Sequence, residues 1–290
     1  MRKWCVIILL SSRVWALPVG NPSEASLLSS GLCWENISDS CYEQICSCPS
    51  GYVKPGLYDS TSFRIGFYGD YVFQRNLKMQ ALKGHGYSYI NQSQLFTNAG
   101  YLALNFYDRV DLFGTLGASR WNLAGNASAF NAEAGTFEEI YSDPGLSWSV
   151  GTRVTLWECT GTALGGEFQY FQFRTPIEYV SNSGFYDIGQ DNGMSQYAEW
   201  QFGLGISHRF WEHVIPYAAV KWSSARLTLG DAIYENIALS TDAILTRAKT
   251  ALLWGYAVGL SLTTCDRGAL TVEGRFGDES AFYVNGQFRF

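Results

Sequence analysis

The chain has no run of about 18 consecutive apolar residues, the length a helix needs to cross a hydrocarbon layer, so a helical membrane protein is excluded. Proline is scarce, at 7 of 290 residues, and only 16% of the residues are charged. Acidic residues outnumber basic ones by 26 to 20, so no basic patch for phosphates is expected and nucleic acid is not expected as a partner. Histidine occurs three times, as His85, His208 and His213. Alternation turns His208 toward the outside of its strand and puts His213 in a turn, so no nucleophile–base–acid constellation forms around them. No catalytic residue is assigned and an enzyme is not expected. The pair Cys46-Ser-Cys48 lacks zinc-ribbon spacing, so neither a metal nor a cofactor is expected.

What the chain does have is aromatic residues, at 16%, together with 30 glycines. Its apolarity sits in every second residue. In the last ten residues Phe282, Val284, Gly286, Phe288 and Phe290 share one side of an extended strand, and Tyr283, Asn285, Gln287 and Arg289 share the other. The wall of a transmembrane barrel asks for this arrangement, with lipid outside, water inside and aromatics at the interface.

The same period recurs from Phe63 onward, where Phe63, Ile65, Phe67, Tyr71 and Phe73 oppose Arg64, Tyr68 and Asp70. Alternating segments then come in pairs joined by short turns, at Tyr107–Arg109, Trp157–Gly161, Phe210–His213 and Cys265–Gly268. Longer polar stretches separate the pairs, near 74–95, 120–145, 174–196 and 224–250. The expected fold is all-β: a transmembrane antiparallel barrel of about 10 to 16 strands, with short periplasmic turns and longer external loops. Ten is the count from the clear segments, and the stretches 127–141 and 227–248 have room for more.

Arg2 and Lys3, the apolar stretch Trp4–Leu10 and then Val14-Trp-Ala16 read as an export signal over residues 1–16. Residues 17–61 do not alternate and are rich in cysteine and proline; they are expected to be a periplasmic segment or a plug in the lumen. Residues 62–290 form the barrel. Export to an oxidising compartment makes Cys33, Cys41, Cys46, Cys48, Cys159 and Cys265 disulfide candidates, and all six map to the periplasmic side. Bridges within the chain and bridges to neighbouring envelope proteins both remain open.

By the same register Arg64, Asp70, Asp111, Arg153, Glu167, Glu199, Lys221, Glu273, Arg275 and Arg289 face the lumen. Such charges set the field along a pore. They could instead be salt-bridged struts in a narrow barrel. Small inward residues, among them Gly66, Gly151, Gly165, Gly203 and Gly205, leave space and favour a water-filled channel. Trp148, Trp200, Trp222 and Trp254 fall on the lipid side and fit interface anchors.

Particular strings carry a resemblance. Leu17-Pro-Val-Gly-Asn-Pro22, Gly66-Phe-Tyr-Gly-Asp-Tyr-Val-Phe73, Leu95-Phe-Thr-Asn-Ala99, Thr115-Leu-Gly-Ala118, Leu156-Trp-Glu-Cys159 and Val284-Asn-Gly-Gln-Phe-Arg-Phe290 are similar to segments of the chlamydial major outer membrane porin family. The resemblance runs in order along nearly the whole chain. This sequence is shortest where that family has long variable loops, so it resembles a compact or divergent member, such as a paralogue. The resemblance implies an outer-membrane homotrimer in contact with lipid, admitting small solutes and linked by disulfides to other envelope proteins. Cys159 matches the family's Trp-Glu-Cys turn, while the cysteine that follows it there is replaced by Thr160-Gly161. The alternative is a structural envelope or adhesin barrel with little or no conductance.

Overall fold

A computed structural model describes residues 17–28, 61–83, 86–129, 136–159, 161–182, 185–187, 194–210, 213–229, 244–264 and 267–290. The export signal, residues 29–60, His85, Cys33, Cys41, Cys46, Cys48 and Cys265 lie outside the described residues. One helical turn, α1 (Glu24–Leu27), precedes fourteen described strands. These are β1 (Thr61–Arg75), β2 (Leu77–Lys83), β3 (Gly86–Phe106), β4 (Val110–Ala129), β5 (Thr136–Ser142), β6 (Gly145–Cys159) and β7 (Thr162–Asn182). They continue with β8 (Phe185–Asp187), β9 (Met194–His208), β10 (Val214–Leu229), β11 (Ile244–Thr250), β12 (Trp254–Thr263), β13 (Gly268–Phe276) and β14 (Glu279–Arg289).

Ten of these strands close a ring. The antiparallel pairings run β1–β3–β4–β6–β7–β9–β10–β12–β13–β14 and return to β1. The closing pair sets Arg64 opposite Arg289 and Arg75 opposite Glu279, and the Phe290 N–H donates to the Phe63 carbonyl at 2.9 Å. Closure leaves the ring without a free edge, the condition for placing a sheet in lipid. The other four strands add a second tier at one end. β5 bridges the far halves of β4 and β7, β8 pairs antiparallel with the last residues of β7, and β11 joins the far end of β10 to β2.

Four short turns, β3–β4, β6–β7, β9–β10 and β12–β13, gather at the opposite end, and the two-residue link Gly277-Asp278 between β13 and β14 is the exception on the second-tier side. Between β3 and β4, Tyr107 and Asp108 both have positive φ, 54° and 50°, and the Arg109 N–H donates to the Phe106 carbonyl at 3.0 Å. Positive φ at both central residues suits the right-handed twist of the two strands, and the Asn105 side chain holds the turn by accepting from the Asp108 N–H at 3.0 Å. By the rule that such barrels keep short turns on the periplasmic side, this end is the inner one and the second tier is the outer one.

Alternation decides what each strand shows. Along β9 every second residue from Ser195 to Ser207 is buried, and the intervening Trp200, Phe202, Leu204 and Ile206 are 40–55% exposed to the outside. Trp148, Trp200, Trp222 and Trp254 stand on this outer face toward the second tier. One irregularity reverses the parity. The register of β1 against β14 shifts between Val72 and Gln74, so that Phe73 points out and the odd-numbered Arg75 is buried inside.

Candidate functional site: the barrel interior

All ten charged lumen candidates project into the interior. Arg64, Asp70, Asp111, Arg153, Glu167, Glu199, Lys221, Glu273 and Arg275 are buried to 3% exposure or less. Arg289, near the inner rim, keeps 11% of its side chain exposed. The structure brings them together as pairs and clusters. Arg64 pairs with Asp111, and Arg75 holds both carboxylate oxygens of Glu199. Arg153 spans Glu24 at 2.9 Å and Glu167 at 2.5 Å. Lys221 reaches Glu279 at 2.6 Å and Asp278 at 3.3 Å, while Arg275 joins Asp70 and, at 2.7 Å, Glu279.

The space expected from small inward residues is filled. Residues 17–28 run through it, and the small side chains are small because this segment lies against them. A Cβ on Gly203 would meet Val19, and one on Gly165 or Gly205 would meet Pro22. Polar contacts tie the segment to eight of the ten ring strands. The Val19 and Gly20 N–H groups donate to the two oxygens of Glu273 at 3.0 and 2.8 Å. The Asn21 amide donates to Ser261 at 2.9 Å and the Gln201 amide to the Pro18 carbonyl at 2.6 Å. Arg64, Asn105 and Thr263 donate to the carbonyls of Glu24, Ala25 and Leu27. Gln287 donates to the Glu24 carboxylate at 2.5 Å, Lys221 to the Leu17 carbonyl at 3.3 Å and Arg289 to that of Leu28.

The sequence of the segment suits that burial. Pro18 and Pro22 carry no N–H, so fewer backbone donors need a partner inside the barrel. Gly20 has φ +67°, and a side chain there would strike Arg153. That backbone turns two successive N–H groups onto one carboxylate, forming a small anion-binding nest. Leu27 and Leu28 pack with Ile215 and Ala269 near the inner end, and Leu17 reaches the middle of the barrel.

Beyond Leu17 the interior turns apolar. Val72, Leu95, Trp121, Leu123, Phe171, Phe173, Tyr197 and Leu227 form one cluster across the outer half, with the Phe173 and Tyr197 rings 5.4 Å apart. The Trp121 indole N–H is satisfied by Ser195 at 2.8 Å. In this conformation the interior holds a charged lower chamber, closed by the segment, and an aromatic upper closure. Above it, the Tyr141 phenol donates to Glu139 at 2.6 Å, which pushes that phenol up from its ordinary pKa.

Sequence reading left out Glu24, Arg75, Asp278 and Glu279, and, although it turned Tyr68 and Tyr283 inward, it left out the aromatics of the outer cluster. Phe171 and Phe173 share parity with the inward Glu167 and Gln169 on β7, a signal that was there to use. His208 accepts or donates to Thr162 at 2.8 Å on the outer face, and the His213 ring meets the Thr263 carbonyl at 2.9 Å. Cys159 is disulfide-bonded.

Comparison with known proteins bears on the family of the chain. Residues 3–87, 83–139 and 131–194 match the family described as Chlamydia major outer membrane protein. The chain is 31% identical to a major outer membrane porin of Chlamydia pneumoniae, over 95% of this chain and 94% of that one. It is 30% identical to the major outer membrane porin, serovar L1, of Chlamydia trachomatis, over 97% and 96%. The first alignment runs over 379 positions against 290 residues here, so that relative carries insertions this chain lacks. Among solved structures, the outer membrane protein OprG of Pseudomonas aeruginosa aligns with 10% identity and a TM-score of 0.36, over 80% of this chain and 96% of that one.

Proposed function

Since the chain belongs to the Chlamydia major outer membrane protein family, we propose that it is an outer-membrane porin for small solutes and ions, closed at rest by its own residues 17–28. The observation that carries this reading is the segment itself. It occupies a lumen lined by buried charges, and it is held there by hydrogen bonds and ion pairs rather than by strand pairing. Contacts of that kind release a segment without unravelling the wall. On this proposal Arg64, Asp70, Asp111, Arg153, Glu167, Glu199, Lys221, Glu273, Arg275 and Arg289 line the path once the segment is displaced. Catalysis has no part in it.

Refolded protein lacking residues 17–28 should give discrete conductance steps in a planar bilayer, and the mature full-length chain should be closed most of the time. Equal conductance of the two would remove the segment from any role in closure. Silence of both would favour the second reading, a structural envelope barrel with little or no conductance. The interior favours that reading to this extent: nine buried charges already have partners and an apolar cluster lies above them.

We propose further that the barrel is a homotrimer and that its cysteines link it to other envelope proteins. The family resemblance supports both, and the links would fall to cysteines other than Cys159, which is already disulfide-bonded. Reducing and non-reducing gels of intact envelopes test the links, and a monomer band unaffected by reductant would count against them.

A further inference from the structure

A strip of the outer wall carries positive charge without any compensation. On β2, β10 and β11 there is no Asp or Glu, and the single acid of β9, Glu199, turns inward onto Arg75. Arg226 on β10 lies directly opposite Lys249 on β11, and Lys249 lies directly opposite Lys78 on β2. Arg247 stands one row further out, opposite Thr228. All four side chains are exposed on the outer face, and among the described residues none of them has an ion pair. Like charges directly opposed across a sheet destabilise it, so three in one row need an anion from outside the chain.

The position of the row tells which anion. Just below it, toward the inner end, is an aromatic belt. The Trp200 and Trp222 rings are 4.3 Å apart, and Trp254 is directly opposite Trp222. Aromatics of this kind mark the headgroup level of the bilayer, so the cationic row stands among the headgroups of the outer leaflet. A cleft of about 340 Å³ lies there between Tyr170, Trp200, Ser224, Arg226 and Lys249. Below the belt the outer wall dips where the small Ala218 sits among Leu204, Ile206, Val220, Tyr256 and Val258, leaving an apolar groove of about 400 Å³. Eight residues of β10 separate Arg226 from Ala218, roughly 26 Å along an extended strand.

We infer that this strip is a binding site for a phosphorylated glycolipid of the outer leaflet. Its phosphate would sit on Arg226, Lys249 and Lys78, the guanidinium offering paired N–H donors, while one acyl chain fills the groove over Ala218. The site is on the outside of the wall and is independent of whether the lumen conducts.

The test uses the refolded full-length chain in detergent micelles, with a bisphosphorylated lipid A-type glycolipid and its dephosphorylated form as probes, and native mass spectrometry as the readout. The phosphorylated form should bind at least tenfold more tightly. The triple variant Lys78→Gln, Arg226→Gln, Lys249→Gln should bind both forms alike. Ala218→Phe should weaken glycolipid binding and leave weak binding of inorganic phosphate unchanged. Equal binding of the two glycolipids by the unaltered chain overturns the inference and needs no variant to show it. So does a tighter affinity for a soluble sulfated polysaccharide, which would make the row a glycan site, or a triple variant that retains full discrimination while still showing the heat-dependent gel shift of a folded barrel.

Discussion

Arg153 shows how closely the interior is balanced at the level of single residues. Its guanidinium stands between Glu24 of the segment and Glu167 of β7, and it lies 4.9 Å from the centre of the Phe113 ring. Replacing both partners of a buried pair by apolar groups can be neutral, but removing one strands the other in a medium that solvates it poorly. Arg153→Met leaves two carboxylates near each other with no cation between them. It should cost about 3–5 kcal/mol, read as a lowered midpoint in urea titration of the folded barrel. Adding Glu167→Gln to that variant should recover part of the loss. If Arg153→Met unfolds at the same urea concentration as the unaltered chain, the pair is solvated and the chamber is wetter than its burial indicates. Gly20 and Gly203 belong to the same balance, because each is small where the segment and the wall meet.

Among the elements, strands with uninterrupted alternation could be read from the sequence, and segments that follow another rule could not. The terminal run from Phe282 to Phe290 gave its faces directly, and β14 closes the ring beside β1 with Tyr283, Asn285 and Gln287 turned inward and buried. The ten clear segments correspond to the ten ring strands. Arg75 was illegible because the bulge beside Phe73 flips the parity of β1, and alternation has no means of signalling a bulge. The path of residues 17–28 was illegible for a different reason: most of its polar contacts are to strands more than 100 residues away, and only the row of inward glycines hinted at a guest. Small inward residues mean space in the wall and do not say what fills it.

The upper closure belongs to this scale as well, because β4, β7, β9 and β10 each contribute to it. Phe171 and Phe173 pack against Tyr197 from neighbouring strands, with ring centres 6.0 and 5.4 Å away. If this cluster is a second barrier, shortening the chain by residues 17–28 opens only the lower chamber, and conductance rises less than the width of ten strands would allow. Phe171→Ala with Phe173→Ala in the shortened chain should then raise the single-channel conductance several-fold. Each change should also cost a few kcal/mol of stability, at the lower end of the ~3–5 kcal/mol typical of Phe→Ala in a core. Conductance that is the same with and without the two rings would place the narrowest point elsewhere.

Over the whole molecule, the charges are divided between the two faces of the wall. The chain carries a net charge of −6, yet the outer strip of β2, β10 and β11 is purely basic where it leaves the membrane. The interior has the opposite sign. Among the described residues, and setting aside the rim pair Asp108 and Arg289, its buried carboxylates are Glu24, Asp70, Asp111, Glu167, Glu199, Glu273, Asp278 and Glu279, eight in all, against five cations in Arg64, Arg75, Arg153, Lys221 and Arg275. Displacing residues 17–28 removes Glu24 and leaves seven against five. Water then enters, the pairs loosen, and the excess of fixed negative charge raises the local concentration of cations. The shortened chain should therefore prefer cations, seen as a reversal potential displaced toward that of potassium under a potassium chloride gradient. Asp278→Asn together with Glu279→Gln equalises the count at five and should bring the reversal potential close to zero, at little cost to conductance. A preference for anions, or a cation preference untouched by those two substitutions, would show that the field of the path is set by charges other than the ones buried here.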